Sequence, residues 1–280
     1  MARKGPGPRQ PLSQRRPKVA RKQETSPSRV PKKGPPTAKV KVSNGSVRIP
    51  GTPNVTKQRV PRPRKRIAAA HLLQHASEVF EKLFALYPDA HCELDYQNAY
   101  QLLVATILSA QCTDQRVNMV TPTLFARYPD PATLAVARQE DVEEIIRSTG
   151  FFRNKARNLI GMAGAVVDRH GSNIPVTMNE LVQLPGVGRK TANVVLGNAC
   201  GINEGVVVDT HVQRVGYRLG LTSESDPVKI ELDLMKLYDR DRWTLLSHLL
   251  IWHGRRVCYA RKPRCADCLL NTICPSAFRV

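Results

Sequence analysis

Apolar residues recur at intervals of three and four along most of residues 67–280, the spacing that places them on one face of an α-helix. The first such stretch carries its apolar residues at Leu72, Ala76, Val79, Phe80, Leu83 and Leu86. Seven further stretches show the same period: 100–110, 141–147, 154–167, 190–199, 212–219, 226–237 and 243–252. The pattern therefore predicts an all-α protein.

Prolines and glycines interrupt this helical pattern where helices are expected to end. The predicted breaks are Pro88, Pro122, Pro131, Gly150, Pro175, Pro185 and Pro227. No stretch alternates polar and apolar residues for long enough to indicate a sheet, and the valines at 206–208 form only a short apolar segment. No membrane-spanning helix is expected, because the chain contains no sufficiently long uncharged apolar stretch.

The first 66 residues differ sharply in composition from the rest. They contain 20 of the 43 Lys and Arg residues, 12 of the 21 prolines, one acidic residue and no aromatic residue. Nearly all of the net charge of +20 therefore lies in this segment. Such a segment cannot bury enough apolar surface to offset the entropy lost on folding, so we expect residues 1–66 to be a disordered basic tail.

A basic tail of this kind attracts nucleic-acid phosphates without regard to sequence, and the attraction weakens as salt rises. Two other interpretations stay open. An Arg-rich, acid-poor leader is also typical of an organelle transit peptide, and a start codon assigned too far upstream would produce the same pattern. The expected location is the cytoplasm or nucleoid of a bacterium, with organelle targeting as the alternative.

A Leu-Pro-Gly-Val-Gly turn at 184–188 leads directly into an apolar helical stretch. Its two glycines let the main chain approach a phosphate closely, and the N–H groups that open the next helix point at the anion. Lys190 is expected one turn inside this helix, and Asp209 follows 19 residues later. An amine held there can act as a covalent nucleophile toward a sugar carbon. The alternatives are a simple loop closure and a solvated surface lysine.

Four of the seven cysteines lie close together near the C-terminus, as Cys258, Cys265, Cys268 and Cys274. Thiolates so close in sequence can bind one metal centre, either a zinc ion or an iron–sulfur cluster. The single Cys-x-x-Cys pair favours a cluster, because zinc ribbons usually carry two such pairs. The remaining cysteines are scattered among apolar residues and are expected to be core thiols.

These motifs occur together in one known family. From about residue 72 to residue 274 the chain resembles endonuclease III, a DNA glycosylase and abasic-site lyase of the helix-hairpin-helix superfamily. The matching segments lie at 108–114, 149–156, 184–196, 208–211 and 253–255, and the cysteines follow the last of them. They include Leu-Ser-Ala-Gln, Thr-Gly-Phe and Val-Asp-Thr-His. The resemblance implies that the four cysteines hold a [4Fe–4S] cluster with a structural and DNA-positioning role.

The resemblance also implies a two-lobed helix-hairpin-helix DNA glycosylase fold. Residues 91–205 would form a six-helix barrel, and residues 67–90 with 206–280 would form the lobe that carries the iron–sulfur cluster. Double-stranded DNA would lie across the cleft between the lobes, with the turn at Gly186 on one wall and Asp209 on the other. The protein is expected to act as a monomer.

By the same resemblance, Lys190 would be the nucleophile and Asp209 the assisting carboxylate. The amine must be neutral when it attacks the sugar, which a partly desolvated site near the positive end of a helix favours. The carboxylate would stabilise the positive charge that develops on the sugar as the base leaves. N-capping of the helix before Val212 is the alternative role for Asp209, and it is compatible with the first.

A base in duplex DNA must be flipped out before it is removed, and its place must be filled. In the family a glutamine fills the hole, which corresponds to Gln111. A residue after a Thr-Gly pair wedges the opposite strand, which corresponds to Phe151, although the family often carries an aliphatic residue there. Without the resemblance, Phe151 would be assigned to the core and Gln111 to an exposed helix end.

Further DNA contacts are expected from the turn and from a basic loop between two of the cysteines. The expected contact residues are Gly186, Val187, Gly188, Arg189, Arg261, Lys262 and Arg264. The last three lie where the cluster would already order the loop, so they are suited to phosphate; a solvated loop is the alternative. His211 and His253 are expected to be structural hydrogen-bonding residues, since four thiolates need no fifth ligand.

The expected function is therefore base excision repair: removal of damaged bases, oxidised pyrimidines above all, through a lysine Schiff base, followed by β-elimination 3′ to the sugar. Three alternatives are open. An adenine glycosylase would need a glutamate near position 105 and a small residue at 190, where this chain has Ala105 and Lys190. A non-catalytic DNA-binding module would not need the pair of Lys190 and Asp209. A zinc-stabilised regulator would contain zinc instead of iron.

Overall fold

The computed structural model describes residues 67–280, and this part of the chain contains eleven α-helices and no β-strand. The helices are α1 (Ala69–Leu86), α2 (Ala99–Leu108), α3 (Asp114–Arg127), α4 (Pro131–Ala135), α5 (Gln139–Ile146), α6 (Phe152–His170), α7 (Met178–Leu181), α8 (Arg189–Ala199), α9 (Thr210–Arg218), α10 (Pro227–Leu237) and α11 (Trp243–Arg256). The all-α prediction is confirmed. The predicted basic tail lies outside the described residues. Within the described part, every helix is too short or too polar to cross a bilayer.

Eight of these helices coincide with the eight stretches of helical periodicity, and three were missed. The missed helices α4 and α7 contain 5 and 4 residues, too few to show a period. Their starts are instead marked by capping side chains, because Asp130 accepts from the N–H of Thr133 and Thr177 accepts from the N–H of Glu180. Short helices of this kind are visible in the sequence only through their caps.

The predicted break at Pro122 is wrong, because this proline lies inside the third missed helix, α3. Pro122 is exposed, whereas Val120, Thr121 and Leu124 around it are buried. A proline in a helix interior costs about 3 kcal/mol, since it removes one hydrogen bond and crowds the preceding turn. Burial of the apolar residues on both sides of Pro122 offsets this cost, and the helix continues through it.

The buried residues form two hydrophobic cores. The first core extends from Leu94 to Leu196 and is built by the helices from α2 to α8. Helix α2 lies inside it, and eight of its ten residues are buried, as a helix that is apolar on every side requires. It packs against α3, α6 and α8, while α6 also packs against α4 and α5.

The second core combines α1 with the chain from Val206 to Leu270. Helix α11 packs there against α1 and α9, and it also contacts α8 of the first core. A Cβ atom on Gly197 of α8 would lie 2.3 Å from Oγ1 of Thr244, so a glycine is needed for this close approach. All of the described residues belong to one compact unit, in which the two cores are joined.

Candidate active site

The turn predicted to bind phosphate lies between α7 and α8. Gly186 has a φ angle of +78°, and a Cβ atom there would lie 2.9 Å from Cβ of Asn158 on α6, so this position requires glycine. Helix α8 begins after Gly188, and no side chain of the described residues caps it. Its first N–H groups are therefore available to an anion.

Val187 holds this turn in shape. Its side chain is buried in the first core, and its N–H donates to the carbonyl of Leu184 at 3.1 Å. The glycines on either side, Gly186 and Gly188, are both exposed. Of the three turn residues expected at the DNA, these two glycines are accessible, and Val187 supports them from the core.

Lys190 is the second residue of α8 and is exposed. It lies at the start of the helix, not one turn inside it, so it is directly beside the positive end of the helix dipole. Within residues 67–280 its amine has no hydrogen bond and no ion pair. The desolvation expected from the sequence is not supplied by the protein alone; a bound duplex would have to cover this amine.

Asp209 precedes α9 and caps it. Its Oδ1 atom accepts hydrogen bonds from the N–H groups of His211 and Val212, each at 2.8 Å. The capping role weighed from the sequence is therefore confirmed. Its second carboxylate oxygen has no hydrogen-bond partner in the described part of the chain. One oxygen thus holds the helix, and the other remains available for chemistry.

Lys190 and Asp209 line the same cleft, although one comes from α8 of the first core and the other from the start of α9 in the second. The space of the cleft, part of it open to solvent, is about 610 Å³. Ser109, at the end of α2, also lines the cleft. The structure brings the two predicted residues to one site.

A charge network that the sequence did not indicate lines the same cleft. Arg255 on α11 forms ion pairs with Asp114 on α3, at 2.7 Å, and with Glu93. This network ties α11 to the first core beside Lys190 and Asp209. His248 also lines the cleft, and burial lowers its pKa to about 4. Its ring is therefore neutral at pH 7, and Nε2 lies 2.7 Å from Oδ1 of Asn198.

Gln111 and Phe151 share an unusual backbone conformation. Their φ angles are +55° and +48°, in the left-handed region that non-glycine residues rarely adopt unless the surrounding structure enforces it. Both side chains are exposed, and 65% of the Phe151 surface is accessible. The alternative that places Phe151 in the core is therefore wrong. Exposed side chains on segments with a fixed backbone are suited to insertion into a DNA duplex.

The Arg189 guanidinium is engaged within the protein. Its Nε and Nη2 atoms donate to the two carboxylate oxygens of Glu231 on α10, at 2.8 and 2.9 Å. Asn193 donates to the same carboxylate at 2.9 Å, and Glu231 is only 4% exposed. This bidentate pair fastens α8 to α10. A phosphate contact by Arg189 stays a prediction, and it would compete with this ion pair.

The basic loop divides into two groups. Arg261 and Lys262 are exposed and have no hydrogen bond or ion pair among the described residues. Arg264 donates to the carbonyl of Arg256 at 2.8 Å, and its guanidinium lies 5.8 Å from the centre of the Tyr259 ring. Arg264 therefore shapes the loop, although its side chain is exposed as well, and a phosphate contact by any of the three residues stays a prediction.

The four C-terminal cysteines line a single cavity, and no cysteine in residues 67–280 forms a disulfide. In the same range, no three His, Cys, Asp or Glu side chains converge closely enough to hold one metal ion. An iron–sulfur cluster is larger than a single ion, and its thiolate ligands bind separate irons around it. Four sulfurs that surround a cavity therefore fit a cluster better than one zinc ion.

The surroundings of these sulfurs also fit such a group. Arg218 is buried, and its guanidinium donates to Sγ of Cys258 at 3.4 Å. It also donates to the carbonyls of Tyr259, at 2.7 Å, and Ala260, at 3.0 Å. The hydroxyl of Ser276 lines the cavity and has no hydrogen-bond partner in the described chain. Burial raises the pKa of the Cys274 thiol to about 11. Thiolates here would therefore need compensating positive charge, which Arg218 offers and a bound metal group would add to.

The two histidines make hydrogen bonds within the protein, as expected of structural residues. Nδ1 of His253 lies 3.2 Å from the hydroxyl of Tyr87, and Nε2 lies 3.5 Å from Sγ of Cys268. Nδ1 of His211 lies 3.1 Å from Nη2 of Arg214.

Sequence reasoning missed Arg218, Arg255 and Lys155. Only Lys155 left a clear signal, because it occupies the apolar stripe of α6 with Leu159 and Val166, where a lysine is out of place. It is 4% exposed.

Comparison with known proteins supports the family resemblance found in the sequence. The model of the family described as HhH-GPD superfamily base excision DNA repair protein matches residues 104–240. Endonuclease III of Synechocystis is 57% identical over 204 residues, which cover 73% of this chain and 93% of that protein. Endonuclease III of Bacillus subtilis is 43% identical over 195 residues, which cover 69% of this chain and 89% of that protein.

Solved structures agree with the sequence comparison. A non-covalent endonuclease III–DNA complex superposes with a TM-score of 0.70 at 41% identity and covers 72% of this chain and 94% of that one. A trapped covalent endonuclease III–DNA intermediate has the same TM-score and identity and covers 72% and 95%. A thermostable thymine-DNA glycosylase, 20% identical, shares the fold with a TM-score of 0.66 and covers 73% and 97%. The chain therefore belongs to the endonuclease III family of the HhH-GPD superfamily of base excision DNA repair proteins.

Proposed function

We propose that Lys190 is the nucleophile with which this protein, a base excision DNA glycosylase and abasic-site lyase, attacks the sugar of a damaged nucleotide, and that Asp209 assists it. The observation that carries the proposal is that both side chains line one cleft between the two cores. An endonuclease III has been trapped in a covalent intermediate with DNA, and this supports covalent chemistry for the present protein, which is similar to it.

The chemistry begins when the lone pair of the Lys190 amine forms a bond to C1′ and the base leaves with the electrons of the C1′–N bond. The carboxylate oxygen of Asp209 that does not cap α9 stabilises the positive charge that develops on the sugar. Proton loss from nitrogen and opening of the C1′–O4′ bond give a Schiff base. The Schiff base acidifies a C2′ proton; its loss expels the 3′ phosphate, and water then releases the lysine.

We propose that the DNA is gripped by backbone and side-chain groups on both sides of this cleft. The N–H groups that open α8, with Gly186 and Gly188, bind phosphate. Gln111 fills the space left by the flipped base, and Phe151 wedges the opposite strand. Their left-handed backbones and exposed side chains support this assignment. Arg261 and Lys262 contact phosphate farther along the duplex.

We further propose that Cys258, Cys265, Cys268 and Cys274 hold a [4Fe–4S] cluster. When bound, such a cluster would cross-link the C-terminal segment and order the basic loop between its first two ligands. The shared cavity and the Arg218 guanidinium beside Cys258 support this assignment.

The purified protein is expected to contain about four iron atoms and a similar amount of acid-labile sulfide per chain. Iron and sulfide analysis together with metal mass spectrometry checks this. One zinc ion per chain without iron would contradict the cluster and favour a zinc-stabilised site. Replacement of Arg218 by Met should lower the iron content, whereas replacement of the solvent-facing Arg261 by Met should leave it unchanged.

A panel of duplexes, each with one damaged base, tests the proposed function. We expect single-turnover release of oxidised pyrimidines such as thymine glycol, cleavage 3′ to the resulting abasic site, and a covalent adduct when borohydride is present. Undamaged duplex is the control. A protein that bound every duplex and released no base would be a binding module, and base release without adduct would exclude the Schiff base.

We propose that the protein acts as a monomer on chromosomal DNA in the bacterial cytoplasm or nucleoid. The bacterial origin of the similar endonucleases III supports this location. The 20 basic residues in positions 1–66 support a further role for this segment in sequence-independent attraction to DNA.

A further inference from the structure

A buried lysine outside the reaction centre connects the two segments proposed to enter DNA. Lys155 lies in the first turn of α6, and its Nζ donates to the carbonyl of Leu108 at 2.7 Å and to the carbonyl of Thr149 at 2.8 Å. Leu108 precedes Gln111 by three residues, and Thr149 precedes Phe151 by two. One ammonium group therefore holds the base of both segments.

The two acceptors suit a buried positive charge. Leu108 is the last residue of α2, and Thr149 is the last residue of a short 3-10 helix at Arg147–Thr149. Carbonyls at the ends of helices lack intrahelical partners and lie at the negative end of the helix dipole. Burial lowers the pKa of Lys155, and no carboxylate in residues 67–280 forms an ion pair with it. The two carbonyls are thus the groups that compensate its charge.

The same residue also supports the strained wedge directly. The N–H of Lys155 donates to the carbonyl of Phe151 at 3.1 Å as the first hydrogen bond of α6, and its side chain holds the carbonyl of Thr149, two residues before Phe151. Gln111, Gly150 and Phe151 all have positive φ angles, and such conformations persist only where the surrounding structure holds them.

We propose that Lys155 is a positioning residue that couples the hole-filling segment at Gln111 to the wedge at Phe151, so that both enter the duplex together. The inference rests on the proposed function, in which these two side chains insert into DNA. Lys155 touches neither substrate nor sugar; it acts through the two segments.

A double-mutant cycle tests the coupling. Lys155→Met removes the donors at similar volume, and we expect it to slow single-turnover cleavage of an abasic site in duplex DNA by about 10- to 100-fold. In a Gln111→Ala/Phe151→Ala background the same change is expected to cost less than about threefold, since the segments through which it acts no longer insert. Equal costs in both backgrounds would overturn the coupling.

A second substrate separates positioning from a loss of the fold. When the abasic site lies in an unpaired bubble, no stacked partner strand must be wedged, so the cost of Lys155→Met should fall to less than about threefold. Lys236→Met, which removes an exposed lysine of α10, is the matched control and should match the wild type throughout. An equally large loss on bubble and duplex would overturn the proposal.

Two further measurements keep the outcomes distinct. Wild-type protein that forms no borohydride adduct would refute the proposed function itself, whereas a normal adduct with an additive cycle would refute only the role of Lys155. If Lys155→Met does not fold, Lys155→Gln, which keeps one donor, is carried through the same cycle. Backbone hydrogen exchange should also rise at 109–112 and 149–155 in the Lys155 variant and not in α1. Unchanged exchange in these two segments would show that Lys155 does not hold them.

Discussion

Lys190→Ala is expected to abolish the borohydride-trapped adduct with abasic DNA and to slow strand cleavage by on the order of 10⁵-fold or more. The magnitude follows from the loss of an amine held next to the sugar, because well-placed intramolecular groups act at effective concentrations of about 10⁵–10⁸ M. The side chain is exposed and makes no hydrogen bond or ion pair within residues 67–280, so the free energy of unfolding should change by less than about 0.5 kcal/mol.

Denaturing gel electrophoresis after borohydride treatment measures the adduct, and single-turnover kinetics measure cleavage. Lys236→Ala is the control, because it removes an exposed lysine of α10 that does not line the cleft. An adduct that persisted undiminished in Lys190→Ala would assign the nucleophile to another amine. Binding of the variant to abasic duplex should remain, since the N–H groups that open α8 are unchanged.

Asp209→Asn is expected to slow release of a damaged base by about 10²- to 10³-fold. The charge that stabilises the developing cation is lost, and removal of a single preorganised electrostatic group typically costs this much. The helix should survive, because Asn and Asp are comparable N-caps and the amide oxygen can still accept from the N–H groups of His211 and Val212. The change therefore separates the two roles of this residue.

Rapid-quench measurement of base release, paired with chemical denaturation, checks this expectation. Asp209→Ala serves as the matched comparison: it removes charge and cap together and should also lower the free energy of unfolding by about 1 kcal/mol. If Asp209→Asn unfolded readily while its base-release rate stayed normal, capping alone would explain the residue. On a preformed abasic site the loss should be smaller, since the bond to the base is already broken.

The lysine pair of this protein illustrates why burial alone does not identify catalytic groups. Lys190 is exposed, whereas Lys155 is buried and holds two carbonyls. Chemistry on a flipped nucleotide requires an amine that DNA can reach, so its desolvation has to come from the complex. A buried lysine is suited to fixing backbone geometry. In the proposed mechanism the two lysines therefore serve the same reaction from different positions.

Local sequence patterns were sufficient to predict those features that depend on a single segment of the chain. The three- and four-residue period located α1, α2, α5, α6 and α8–α11, because amphipathic helices bury one face. The position of Gly186 requires glycine, since its φ angle is +78° and a Cβ atom would lie 2.9 Å from Asn158, whereas the approach of phosphate to this turn stays a prediction. The pattern failed at Pro122, where burial of Val120 and Leu124 outweighs the intrinsic preference against proline.

The interaction partners of individual side chains could not be predicted from the sequence. The sequence predicted a phosphate contact for Arg189 but did not indicate that its guanidinium donates to both carboxylate oxygens of Glu231, 42 residues away. Without the family resemblance Phe151 would be assigned to the core, yet its backbone is left-handed and its side chain is exposed. Arg218 and Arg255 resembled ordinary surface charges until their distant partners were known.

The order of residues along the chain was thus enough to predict the helical class and the set of four thiols, which depend on residue type and short spacing. Together with the family motifs it was also enough to propose Lys190 as the reacting amine and Asp209 as the assisting carboxylate. Which oxygen of Asp209 is free, how open the cleft is around Lys190, and which lysine clamps the inserting segments depend on contacts between residues far apart in sequence. Such contacts form only when the two cores pack together, and no local preference encodes them.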